Sequence, residues 1–165
     1  MAVYRADINQ TWESIKGDIK IRMVGRGYRA ANELRNASQL VLRGRRSGRK
    51  YIVPGTGSMK YNKKTKTSKI TYRYYTASAP GEPPAVRTGA FRASWQRKSY
   101  VEGKSDSFTV VTEIESMTRT DNNKYLLGEI LENGTGNMDP RPYQEKIQKK
   151  ALPGILRIYN EPYKL

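Results

Sequence analysis

The chain of 165 residues contains no cysteine and no histidine. The first absence excludes disulfides and thiolate metal sites, and the second removes the commonest general base and the commonest metal ligand. Long apolar runs are missing as well: no stretch approaches the ~20 apolar residues of a membrane span. Hydrophobic residues make up 36% of the chain and mean hydropathy is −0.80. Met1 to Asp7 holds no apolar signal region, so an intracellular, soluble product without membrane contact is expected. Acid is scarce too, with 15 Asp and Glu against 31 Lys and Arg and a net charge of +16. Between Leu34 and Gly81 it is absent altogether, while 12 basic residues fall there. Such a segment repels its own copies unless anions lie nearby, which points to DNA or an acidic protein face as its neighbour.

What remains offers little chemistry. Glu113 with Glu115, and Glu129 with Glu132, are the acidic pairs that a strand and a helix respectively would place on one face, but neither has a third ligand or a nucleophile beside it. Gly55-Thr56-Gly57-Ser58 lacks the following Gly-Lys-Ser/Thr of a phosphate loop, and Gly134-Thr135-Gly136 reads only as a turn. A small hydrolase has no nucleophile and base to stand on. No enzyme activity, catalytic residue, cofactor or metal is therefore expected. Without an internal repeat, any symmetry must come from several chains.

The patterning predicts an α+β fold, with long N-terminal and C-terminal helices packed on a mainly antiparallel sheet and a long basic hairpin or loop. Asp7 and Gln10 suit a capping box, and Ile8, Trp12, Ile15, Ile19, Met23, Ala30, Leu34, Ala37 and Val41 recur at helical steps to about Leu42. Gly25 and Gly27 permit a bend or break, and Gly44 is the stop. Tyr51 to Val53 and Ile70 to Thr76 read as paired strands, with Pro54 to Lys69 a long hairpin tip or mobile loop. Trp95 to Val101 and Ser107 to Ile114 form the clearer hairpin, turning at Gly103 to Asp106, with Phe108, Val110 and Ile114 on one face. A short helix holds Leu126, Leu127, Ile130 and Leu131. A last helix opens at Pro142, aligns Tyr143, Ile147, Ala151, Ile155 and Ile158, and should kink at Pro153. One domain spans residues 1–165, with the basic hairpin at about 45–77 and a Pro-rich arm at 78–87.

That arm begins the stretch Ser78 to Trp95, where Pro80, Pro83 and Pro84 preset an extended backbone and Gly81 and Gly89 keep freedom. Thr88 suits the N-cap of a short helical turn, on which Phe91 and Trp95 share one side as a buried anchor. Ser78-Ala79-Pro80-Gly81-Glu82-Pro83-Pro84-Ala85, followed by Thr88-Gly89-Ala90-Phe91-Arg92-Ala93-Ser94, resembles the centre of the tail-completion, or neck, family of tailed bacteriophages. A second block agrees: Ile130-Leu131-Glu132-Asn133-Gly134-Thr135, then Met138, then Pro140-Arg141-Pro142-Tyr143. The resemblance covers residues 78 to 143, with two departures: Asn133, where the family often has an aromatic, and Tyr143, where it usually has phenylalanine.

The resemblance implies a structural virion protein of the neck or tail top, assembled in the host cytoplasm. It would complete the tail or join head to tail as a ring, a hexamer first and a dodecamer otherwise, around the DNA channel. Its neighbours would be a neck adapter or portal-side protein and a tail-terminator or tail-tube protein, with transient, non-specific contact to genomic DNA. Pro80, Gly81, Glu82, Pro83, Pro84 and Arg87 are the expected subunit or partner interface. Phe91, Trp95, Glu132, Gly134, Thr135, Arg141, Pro142 and Tyr143 are the expected structural anchors, with Arg141 pairing to Glu132 or to loop carbonyls. Arg45, Arg46, Lys60, Lys63, Lys64, Lys66 and Lys69 are the expected contacts to DNA or an acidic partner. The alternative is a sequence-independent nucleic-acid-binding module using residues 43–73, for which charge is the argument.

Overall fold

A computed structural model describes the backbone of residues 8–104 and 107–162 and the side chains of residues 13–103 and 109–162. The expected capping box at Asp7 and Gln10, the side chains of Ile8, Trp12 and Phe108, and the turn residues Ser105 and Asp106 lie outside them. The fold is mixed α+β. Helix α1 (Ile8–Arg43) is followed by strands β1 (Lys50–Ile52), β2 (Ser58–Asn62), β3 (Thr67–Thr71) and β4 (Tyr74–Thr76), and by helix α2 (Ala90–Ala93). Strands β5 (Gln96–Lys104) and β6 (Ser107–Glu115) and helices α3 (Leu127–Asn133) and α4 (Gln144–Asn160) complete the order. In place of one sheet under two helices, the described strands make three separate antiparallel pairs, β1 with β4, β2 with β3 and β5 with β6. Among the described residues no helix is long and apolar enough to cross a membrane.

The chain divides into two compact units. The first holds α1 up to Asn36, the β5–β6 hairpin and α4 from Ala151. Antiparallel register from Gln96 opposite Glu115 to Lys104 opposite Ser107 places Ser99 and Thr112 together on one face of the hairpin. Gly27 of α1 lies against that face: a Cβ there would collide with Ser99 Oγ and come within 2.9 Å of Thr112 Oγ1. The glycine therefore serves close approach, and α1 runs through it unbroken. Ser99 Oγ donates to Val24 O at 3.3 Å, and Arg97 reaches Asn32 Oδ1. At the far end of α4, Arg26 donates to the carbonyls of Tyr159 (3.3 Å) and Glu161 (2.5 Å), groups a helix end leaves without intrahelical partners. Arg29 grips the Glu161 carboxylate with two bonds of 2.6 and 2.7 Å, which also raises the Arg29 pKa. Ile15 and Ile19, expected in the core stripe, are exposed, and no residue from 13 to 22 is buried. The stripe begins in earnest at Ala30 and Ala31, where small side chains pack closely. α4 continues through Pro153, which is exposed.

The second unit holds residues 37–95 and 116–150. Tyr51 stacks on Tyr75 across β1 and β4 with ring centroids 5.7 Å apart, and the ladder extends through Val53 N to Arg73 O (2.8 Å) and Ala77 N to Arg49 O (2.9 Å). Ile70 to Thr76 is thus not one strand: it divides after Thr71, its first part pairing with β2 and its last three residues with β1. Of the two readings of Pro54 to Lys69, a long hairpin tip or a mobile loop, the hairpin holds: the stretch contains β2 and most of β3. Their hairpin turns at residues 63–66, where Lys66 takes φ 51.

Candidate functional site

The two sequence blocks that carry the resemblance fold against each other. Phe91 and Trp95, on and just after α2, meet Tyr143 at the start of α4 in a three-ring cluster. The edge-to-face centroid distances are 5.6 Å for Phe91 and Trp95, 5.7 Å for Phe91 and Tyr143, and 5.9 Å for Trp95 and Tyr143. Tyr143 and Trp95 are buried, and the Tyr143 hydroxyl donates to Gly128 O at 3.1 Å. Burial first, and then the nearby Glu132 charge, push the Tyr143 pKa up to about 12. Thr88 is displaced from its expected role by one position. Gly89, at φ 85, is the N-cap of α2, and Thr88 Oγ1 accepts from Ala90 N at 3.3 Å.

The Pro-rich arm turns back on its own chain instead of running on as an extended rod. Glu82 N donates to Ala79 O at 3.1 Å, with Pro80 and Gly81 at the two central positions and Gly81 at φ 75. This is the residue order that a type II turn requires. The turn brings the Glu82 carboxylate onto Ala79 N (3.0 Å), Ser47 N (3.1 Å) and Ser47 Oγ (2.7 Å). Those bonds, from Ala79 N–H first and then from Ser47, with a small contribution from the Arg46 charge, hold the Glu82 pKa down from 4.5 to about 2. A depressed carboxyl pKa stabilises the fold fully above its unfolded value and less as pH falls toward the folded one. The Ser47–Ala79–Glu82 clasp should therefore hold above pH 4.5 and open progressively toward pH 2. A carboxyl NMR titration of Glu82 with a midpoint near 4.5 would contradict this.

Arg46 also serves the arm. Its guanidinium donates to Pro84 O from Nε (3.2 Å) and Nη2 (3.0 Å), and to Val41 O (2.9 Å), Leu42 O (3.4 Å), Gly44 O (2.8 Å) and Arg45 O (3.0 Å). It closes the carbonyl end of α1 and ties that end to the arm, so the expected DNA contact at Arg46 is corrected to an internal clamp. Ser78 Oγ donates to Pro83 O at 2.7 Å, and Pro84 is buried. Glu82, Pro83 and Pro84 are thus committed to their own unit, and of the six expected interface residues Pro80, Gly81 and Arg87 lie exposed. Gly81 also links the blocks: its N–H reaches Pro140 O at 3.3 Å and its carbonyl accepts from Lys146 Nζ at 2.8 Å.

Glu132 and Arg141 do not pair. Glu132 Oε2 accepts from Tyr143 N (2.9 Å) and Gln144 N (3.3 Å), capping α4 from the neighbouring helix, so Pro142 precedes the helix instead of opening it. Arg141 is placed through its backbone, N to Leu131 O at 2.8 Å. Its guanidinium makes no hydrogen bond or ion pair among the described residues. Arg141→Lys should accordingly shift stability by no more than about 0.5 kcal/mol. A loss several times larger in urea unfolding would restore the bidentate anchor. Gly134, at φ 75, ends α3, and Thr135 pairs with Met138 through N to O bonds of 2.8 and 3.1 Å.

Arg45, Lys60, Lys63, Lys64, Lys66 and Lys69 are exposed, the lysines on β2, β3 and their turn. The acidic pairs are engaged otherwise: Glu115 binds Lys98 at 2.5 Å, Glu113 lies opposite Lys98 in the ladder, and Glu132 caps α4. Ser47, Arg26, Arg29 and Gly27 were not anticipated, since each acts on a partner tens of residues away. No family model matches the chain, and no curated protein or solved structure matches it.

Proposed function

We propose that this chain is a structural virion protein of the phage neck, a ring component that completes the tail or joins head to tail around the DNA channel, and not an enzyme. The observation that carries this reading is the meeting of the two resembling blocks. Phe91 and Trp95 of one pack on Tyr143 of the other, and Gly81 bonds to Pro140. Residues that recur together in a family for structural reasons are expected to touch in this way, and here they are tied by caps and ring packing without any convergent reactive group. The ring's neighbours would be a neck adapter or portal-side protein above and a tail-terminator or tail-tube protein below. Phage lacking the chain should accumulate filled heads and separate tails, with joining restored by adding the purified protein. Infectious, joined particles formed in its absence would refute the reading.

The exposed lysines favour a secondary contact with anions. Glutamine at Lys63, Lys64 and Lys66 should leave the fold intact and weaken head–tail joining or genome retention, by an amount that depends on salt. Equal joining at every ionic strength would reduce these lysines to a solvated face. A stand-alone nucleic-acid clamp would instead bind DNA as a monomer, which size-exclusion with light scattering distinguishes.

A further inference from the structure

We propose that the β2–β3 hairpin of one copy docks on the outer face of the β5–β6 hairpin of the next copy, the contact repeating head to tail; this rests on the ring reading above. A two-stranded hairpin is marginal in water by itself. This one is exposed on both faces. Met59 pairs with Ile70 and Tyr61 with Ser68, so Met59, Tyr61 and Ile70 share one face, at 71%, 60% and 52% exposure. Lys60 faces Lys69 on the other side, and Lys63, Lys64 and Lys66 crowd the turn. The hairpin therefore presents an apolar face and a cationic tip. A matching occupant must be apolar in the middle and acidic at the end.

The chain carries such a surface. With Ser99 and Thr112 turned to α1, the opposite face of the β5–β6 hairpin has Tyr100 beside Val111, and around them Glu102, Glu113, Glu115 and Lys98. Lys98 is held by Glu115 at 2.5 Å and faces Glu113 across the ladder, whereas among the described residues Glu102 forms no ion pair. Met59, Tyr61 and Ile70 would cover Tyr100 and Val111, while the turn lysines reach Glu102, which lies beside that pair toward the β5–β6 turn. A nucleic acid would satisfy the lysines but leave the apolar face bare, which is why a second copy is the better occupant. The arrangement also answers the repulsion among copies of the basic segment by bringing each to a neighbour's carboxylates. Two different surfaces meeting in this way make a heterologous contact, which closes into a ring when the rotation allows.

Because the chain has no cysteine, engineered thiols report this contact cleanly. A chain carrying Ser68→Cys and Thr109→Cys, both exposed and on the two faces that meet, is treated with a short bifunctional maleimide as purified protein and in particles. A ladder of covalent multimers ending at ring size is expected, with either single variant remaining monomeric. In parallel, Lys63→Glu with Lys64→Glu should weaken copy–copy association at least about tenfold, as should Glu102→Lys, and the three together should restore it. Ring-sized mass without a ladder, indifferent to both reversals, overturns the docking and leaves the ring standing. Wild-type protein that is monomeric in solution and in particles overturns the ring and the docking with it. Reversals at the hairpin that abolish DNA binding but keep ring mass and ladder assign the hairpin to nucleic acid, which also overturns the docking.

Discussion

Replacing Tyr143 with alanine is expected to cost about 3–5 kcal/mol, the largest loss of any single side chain in the second unit. The ring is 2% exposed, it is the member that joins α4 to Phe91 and Trp95, and its removal leaves both rings facing a void and Gly128 O without its donor. Tyr143→Phe keeps the volume and loses only that hydrogen bond, so it should cost about 1 kcal/mol. The pair of variants separates packing from hydroxyl. Urea unfolding followed by tryptophan fluorescence reads both, since Trp95 sits in the cluster. An alanine variant as stable as the phenylalanine one would mean that the cluster is not the anchor of this unit.

Gly134→Ala should be nearly as damaging, at about 2–4 kcal/mol. Gly134 takes φ 75 and ψ −171, a region open essentially to glycine alone. A Cβ at this position would stand 2.6 Å from Met138 O and 2.8 Å from Pro140 N. These are backbone atoms, so no side-chain rotation relieves the clash. The shift would propagate to Arg141 N and Leu131 O and loosen the path from α3 into α4. Thermal unfolding of the variant within about 0.5 kcal/mol of wild type would contradict the strained turn.

The readable parts of this chain were those written in local spacing. Phe91 and Trp95 stand one helical turn apart, and they meet as expected. β5 and β6 alternate over nine residues each, and they pair. Tyr143 joining that anchor, and Glu132 capping α4 instead of holding Arg141, depend on folding across the chain, where no spacing rule reaches. The sequence leaves β2–β3 open between a hairpin tip and a mobile loop, because its strands are lysine-rich and its turn has Lys66 where asparagine or glycine would ordinarily signal a positive φ. Its alternation of Met59 and Tyr61 with Lys60 and Asn62 was nonetheless present. Composition places Arg46 with the basic segment, since it does not distinguish a guanidinium spent on five carbonyls from one facing solvent. The arm's prolines imply stiffness, but Pro80-Gly81 between Ala79 and Glu82 is also a turn signature, and the turn is what forms.

The central claim is that the chain works as a ring in the neck. The most direct measurement is an image of the assembled particle with the chain tagged at the exposed Asp121 position, outside every expected contact. The account predicts label confined to the head–tail joint, in a closed ring with the copy number of a hexamer or dodecamer. Label along the whole tail, label inside the head, or particles without the chain would each contradict it.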